Sequence, residues 1–133
     1  MIRMRARLEW SSKSSPIDIK SLDELDDWLE KISLESTSFP RIVVLTIDDI
    51  QVTFGVGLPE KSFIQLCNAS GDGPYLVVFG NSENDNISSF YFLGNHHTEI
   101  PNSYLIPINE VKNIVREVFV TGQMPTGIEW QEI

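Results

Sequence analysis

Apolar and polar residues alternate at the start of the chain, with Met4, Ala6, Leu8 and Trp10 on one side and Arg3, Arg5, Arg7 and Glu9 on the other. A period of two predicts a half-buried strand, and its basic side would discourage pairing with another copy if it lay at a sheet edge. The serines and proline of residues 11–16 form a turn or loop. The period then changes. Leu22, Leu25, Trp28, Leu29 and Ile32 recur at helical spacing behind a capping box, Ser21 with Glu24 three residues on, which predicts a helix over residues 22–34. Asp23, Glu24, Asp26, Asp27 and Glu30 cover its outer side, where acids near the start also suit the helix dipole.

Residues 41–93 read as strand and turn throughout. Residues 42–47 are β-branched and nearly continuous, as in a central strand. Asp48-Asp49 interrupts them, and Val52, Phe54 and Val56 then alternate with Gln51, Thr53 and Gly55. Further strands are expected over residues 62–67, 75–79 and 88–93, separated by the turn cluster of residues 68–74 and the polar loop of residues 80–86. Such short connections predict an antiparallel meander. Residues 95–102 read as an irregular loop and residues 104–106 as a short strand. Asn109 is placed to cap a second helix, with Val111, Ile114, Val115, Val118 and Phe119 on one side and Gly122 to end it. A last short strand is expected around Ile128 and Trp130. The fold class is therefore α+β, a single domain over residues 1–133 with two helices packed on one face of an antiparallel meander sheet.

Composition narrows the function without naming it. The chain is 133 residues long and 41% hydrophobic, enough for one core without metal or disulfide. No apolar run approaches 18 residues, and the basic first residues lead into no apolar segment of a secretory signal. Cys67 is the only cysteine, which excludes an internal disulfide and suits the cytoplasm. Ten Lys and Arg stand against nineteen Asp and Glu, a net charge of −9. Residues 1–17 carry +3, residues 18–35 carry −5 and residues 36–133 carry −7. Phosphate backbones would repel such a chain, so direct nucleic-acid binding is excluded in favour of a basic protein partner or plain solubility.

Candidate chemistry is sparse. His96-His97-Thr98-Glu99 is the one histidine-bearing cluster, and its spacing is not that of a zinc site, because no second His or Cys group accompanies it. Glu99 with a neighbouring His could do acid–base work, so a small hydrolase built on His96, His97 and Glu99 stays open as an alternative. An acidic module regulating another protein is a second alternative. Cys67 lies in an apolar strand and reads as a small buried side chain, not a nucleophile. Gly55-Val56-Gly57 and Gly71-Asp72-Gly73 lack the context of phosphate loops and read as strand distortion and turn. Trp10, Trp28 and Trp130 fall on apolar periodic faces, as core residues do. No cofactor or metal is called for.

Two ordered blocks carry a resemblance. Phe90-Tyr91-Phe92-Leu93-Gly94-Asn95-His96-His97-Thr98-Glu99-Ile100-Pro101 is a strand, a glycine and a polar segment closing on Glu, an apolar residue and Pro. Leu105-Ile106-Pro107-Ile108 follows, then Val120-Thr121-Gly122, Pro125 and Ile128-Glu129-Trp130. Tyr75-Leu76 after a Gly-rich turn, with Gly80 beyond, also fits. From about Val52 to the C-terminus the sequence resembles the type-1 immunity proteins of bacterial polymorphic toxin systems, usually encoded beside nucleic-acid deaminase toxins. His97 stands where that family more often carries an aromatic residue. The resemblance implies a cytoplasmic toxin inhibitor that is not an enzyme, in which Gly94, Glu99, Pro101, Gly122 and Trp130 are architectural. It implies a cognate toxin as partner, basic and carrying a zinc deaminase domain, with no membrane involved. On that view the contact residues expected are Asp72, Glu83, Asp85, His96, His97 and Glu99, set on polar loops.

Overall fold

The computed structural model describes residues 6–10, 16–80, 86–92 and 96–133; the side chains of Phe92 and His96 are not among what it describes. Met4, Arg3 and Arg5, the serine turn, Glu83, Asp85, Gly94 and Asn95 thus lie outside the described residues.

The first strand, β1 (Ala6–Glu9), pairs antiparallel with β2 (Ile17–Ile19) on one side and with β3 (Arg41–Ile47) on the other. It is therefore interior. β2 takes the edge in its place, through an Ile-Asp-Ile alternation too short to stand out in the sequence. Helix α1 (Leu22–Glu35) begins where its capping box placed it: Ser21 Oγ accepts from the Glu24 N–H at 3.1 Å. The Glu24 carboxylate reaches back to the Lys20 N–H at 3.4 Å, one residue earlier than the motif's usual partner. Leu25, Leu29 and Ile32 are its buried residues.

From β3 the chain meanders through β4 (Ile50–Val56), β6 (Ile64–Asn68) and β7 (Leu76–Val77), with the two-residue β5 (Lys61–Ser62) branching off between β4 and β6. β3 and β4 pair over all seven residues, Arg41 with Val56 through Ile47 with Ile50. β8 (Ile87–Phe92) and β9 (His96–Pro101) then form a hairpin that departs from the meander. β8 returns to β3 and joins it in parallel at Arg41 and Tyr91. The far edge of β3 is consequently divided, with β1 on residues 44–47 and β8 at residue 41.

A 3-10 turn over Asn102–Tyr104 follows, then β10 (Ile106–Pro107) against β5, helix α2 (Ile108–Thr121) and β11 (Gln131–Glu132) against β7. The expected loop at 95–102 is thus mostly strand, and the strand expected at 104–106 begins later. Asn109 does not cap α2. Its boundary is Pro107, and the first N–H, that of Ile108, donates across the chain to Glu60 O at 2.9 Å. Gly122 ends the helix in the left-handed region (φ 67°), its N–H donating to Val118 O at 2.7 Å, as expected. The last strand forms just beyond Trp130, because pairing with β7 decides its position.

Two apolar clusters result. The larger joins Leu25, Leu29 and Ile32 of α1 with Val111, Ile114, Val115 and Val118 of α2, against Val43, Leu45, Ile47, Val52 and Phe54 of the sheet. Both helices therefore cover one sheet face. Trp10 is buried here and packs at 5.3 Å from Trp28, and Trp130 packs at the margin with its Nε1–H donating to Pro125 O. The smaller cluster lies on the opposite face. It consists of Ile42, Phe63, Phe90 and Leu105, with Leu58, Ile100 and Tyr104 around it. Gly55, opposite Ile42 in the β3–β4 ladder, opens the space for it. A Cβ there would run into the Phe90 ring and the Ser62 hydroxyl, so this glycine is required by close approach.

Candidate functional site

Strand alternation gives the β8–β9 hairpin two unlike faces. Phe90 and Ile100 turn toward the small cluster. Ile87, Ser89 and Tyr91 of β8 share the other face with His97, Glu99 and Pro101 of β9, because the register pairs 87 with 101, 89 with 99 and 91 with 97. Phe39, from the segment between α1 and β3, stacks on Tyr91 with ring centroids 3.7 Å apart. Tyr91 in turn lies 5.5 Å from the His97 ring, whose Nε2 is 2.8 Å from Ser89 Oγ. The result is a shelf on which the half-buried rings of Phe39 and Tyr91 meet the exposed His97, bordered by Glu99 and by Ile87, which is 51% accessible. At its inner margin Arg41 keeps a buried Nε with no hydrogen-bond partner.

His97 and Glu99 thus come together on one surface, while the backbone of His96 follows the same strand with the opposite alternation. Asp72 does not join them. It sits in the tight turn after β6, where its carboxylate accepts from Ser70 Oγ at 3.2 Å and its carbonyl accepts from the Asn68 N–H. The Ala69 N–H bonds to Asp49 O, which ties this turn to the connection between β3 and β4. The hairpin joins β3 at Arg41, whereas the Asp72 turn lies beyond Ile47, about 20 Å away at the rise of an extended strand. The shelf's aromatic members, Phe39 and Tyr91, were missed by sequence reasoning. The β8–β9 hairpin brings Tyr91 beside His97, and only the approach of β8 to the distant β3 adds Phe39.

The shelf holds a Ser–His contact, yet among the described residues no hydrogen bond joins Glu99 to His97. The cleft beside β10, about 330 Å³ and lined by Val78, Phe79, Leu105 and Pro107 with Lys61 and Glu110 at its rim, includes neither histidine. Among the described residues, no three His, Cys, Asp or Glu side chains gather where a metal could be held. Cys67 is half-buried, 3.7 Å from Gln51 Oε1, and burial followed by the Asp72 charge pushes its thiol above the ordinary value. That is the reverse of what activates a nucleophilic thiolate. No helix among the described residues is long and apolar enough to cross a membrane.

Comparison with known families adds a separate observation. The family model described as Immunity protein Imm1 matches residues 13–132, nearly the whole chain. The chain belongs to the Imm1 immunity protein family. No curated protein matches it. Membership in Imm1 carries an immunity role and, with it, a cognate toxin as the partner.

Proposed function

We propose that this Imm1 protein neutralises its toxin by binding it and covering the toxin's active site, and that the toxin is a nucleic-acid deaminase. The observation that carries the reading is the Imm1 match across residues 13–132. The charge supports it. A deaminase acting on nucleic acid presents a polar, often basic cleft to a flipped or single-stranded base, where zinc-activated water attacks. A chain of net charge −9 suits that cleft, its carboxylates taking the place of phosphates and its bulk excluding substrate. On this reading the protein works in the cytoplasm, breaks no bond itself and needs no cofactor.

The contact surface we assign is the β8–β9 shelf, with His97 and Glu99 set among the rings of Phe39 and Tyr91. Half-buried rings that a partner can cover supply anchoring area of the kind that concentrates binding energy. Asp72, at the far end of the sheet, contributes to the field that steers encounter. An interface of standard size covers about 800 Å² on each partner. Protection of the producing cell calls for a Kd of about 1 nM or tighter.

Co-expression tests the reading. Cells expressing the toxin domain encoded by the neighbouring gene should survive when this chain is present, and the two proteins should co-purify one to one. Failure to rescue from that toxin would contradict it. Between low and physiological ionic strength the association rate should fall by about tenfold or more, and a salt-independent rate would remove the electrostatic part. The Ser89–His97 contact favours one second reading, a hydrolase on the same shelf. Ser89→Ala with His97→Ala would then abolish turnover, whereas an inhibitor retains rescue when binding survives.

A further inference from the structure

The backbone of β9 offers more than its side chains. In an antiparallel ladder, facing residues alternate between pairs that exchange hydrogen bonds and pairs whose N–H and C=O groups turn away from each other. The Asn102 N–H donates to Asn86 O at 2.9 Å and so sets the phase. Ser88 with Ile100 and Phe90 with Thr98 are then bonded pairs, and His97, Glu99 and Pro101 turn their backbone groups outward. Tyr91, opposite His97, agrees: its N–H leaves the hairpin and donates to Pro40 O at 2.9 Å. Pro101, which has no N–H, stands at an outward position, the place an edge strand accepts proline.

Among the described residues nothing pairs with this outer edge. The other edges of the main sheet are short, three residues in β2 and two in β11, whereas β9 has six. Natural edges are blunted by brevity, lysine, proline or a bulge. β9 carries no lysine or arginine, and Pro101 guards only its end. Beside the edge, Ile100 is only half-buried against the small cluster, and the Tyr91–His97 pair lies on the other face. A strand laid along β9 would complete the cover of both.

Resting on the toxin-binding reading above, we infer that the toxin contributes this strand: an extended segment of the toxin adds to β9, bonding to the outward groups of His97 and Glu99. Its chemistry follows from what it would meet. A Lys or Arg belongs beside Glu99, and an apolar side chain belongs on the face of Ile100. A second copy of this chain is a poorer occupant, because each copy brings a charge of −9.

Amide exchange followed by NMR tests this on the free chain and on its complex with the neighbouring gene's toxin domain, inactivated at its catalytic glutamate. In the free chain His97 and Glu99 should exchange quickly, while Thr98 and Ile100 are protected. In the complex His97 and Glu99 should slow by about 100-fold or more. Glu99→Pro, which removes an outward N–H, should weaken binding by about 100-fold with the melting temperature retained, whereas Glu99→Ala should cost less than about tenfold. A complex in which both amides exchange as in the free chain would overturn the proposal, as would equal losses from the two Glu99 variants. Slowing that grows with concentration of the free chain would assign the edge to a second copy instead. Absence of any complex would overturn the toxin reading itself, a result that leaves the free chain's alternating protection to be read separately.

Discussion

The core beneath the helices and the cluster beneath the β8–β9 hairpin are built on opposite faces of the same strands, and they are held very differently. Val43, Leu45 and Ile47 of β3 enter the first, where two helices and five neighbouring strands contribute side chains. Ile42 enters the second, which depends on Phe63, Phe90 and Leu105 seated over Gly55. A broad core ties the domain into one cooperative unit. A small one holds the β8–β9 hairpin in place while leaving the hairpin's outer surface free of the core's demands. The face proposed above for the toxin thus lies on the part of the molecule that the main core does not need.

The largest effects should separate the two. Phe90→Ala removes the centre of the small cluster and should cost about 3–5 kcal/mol, with amide protection lost first in β8, β9 and residues 39–41 and with toxin binding lost as well. Leu25→Ala should cost about 2–5 kcal/mol in the helix-facing core, lowering protection across the sheet while binding survives below the new melting temperature. Equal loss of protection everywhere in both variants would erase the distinction.

A finer cut comes from Gly55. Gly55→Ala should cost about 1–3 kcal/mol by forcing a methyl group against Phe90, and combining it with Phe90→Ala should recover part of that loss. Additive effects in denaturant unfolding would show that the two do not share the space. The smallest effect concerns the far end of the sheet. Burial and the Asp72 charge both raise the Cys67 thiol, so its alkylation at pH 8 should be slow. Asp72→Asn removes the smaller of the two causes, lowers the thiol pKa and should speed the reaction by less than about threefold. A slower reaction would reverse the sign of that argument.

Sequence reasoning reached these regions unequally. Helix α1 was legible because its determinants are local, Ser21 and Glu24 at one end and five apolar residues at helical spacing. The β3–β4 ladder and the Gly122 cap were legible for the same reason. β9 was not, since its histidines, Thr98 and Glu99 lack the apolar alternation of a half-buried strand, and only β8 makes a strand of them. The start of α2 was misplaced because Glu60, almost fifty residues earlier, satisfies its first N–H. The resemblance to Imm1 was readable in the ordered set of glycines, prolines and aromatics. The shelf was half legible: His97 and Glu99 were in view, but Tyr91 joins them only once β9 is recognised as the strand paired with β8, and Phe39 only through the parallel return of β8 to β3.

Titrating the chain into its toxin tests the proposed inhibition most directly, with deamination of a single-stranded oligonucleotide, the activity proposed for that toxin, as the readout. Activity should fall in proportion to added protein, reach zero at one equivalent and return when the two are separated under denaturing conditions and the toxin is refolded. Activity that persists through several equivalents, or that is destroyed irreversibly by a small fraction of one equivalent, would contradict an inhibitor that acts by occupying its partner.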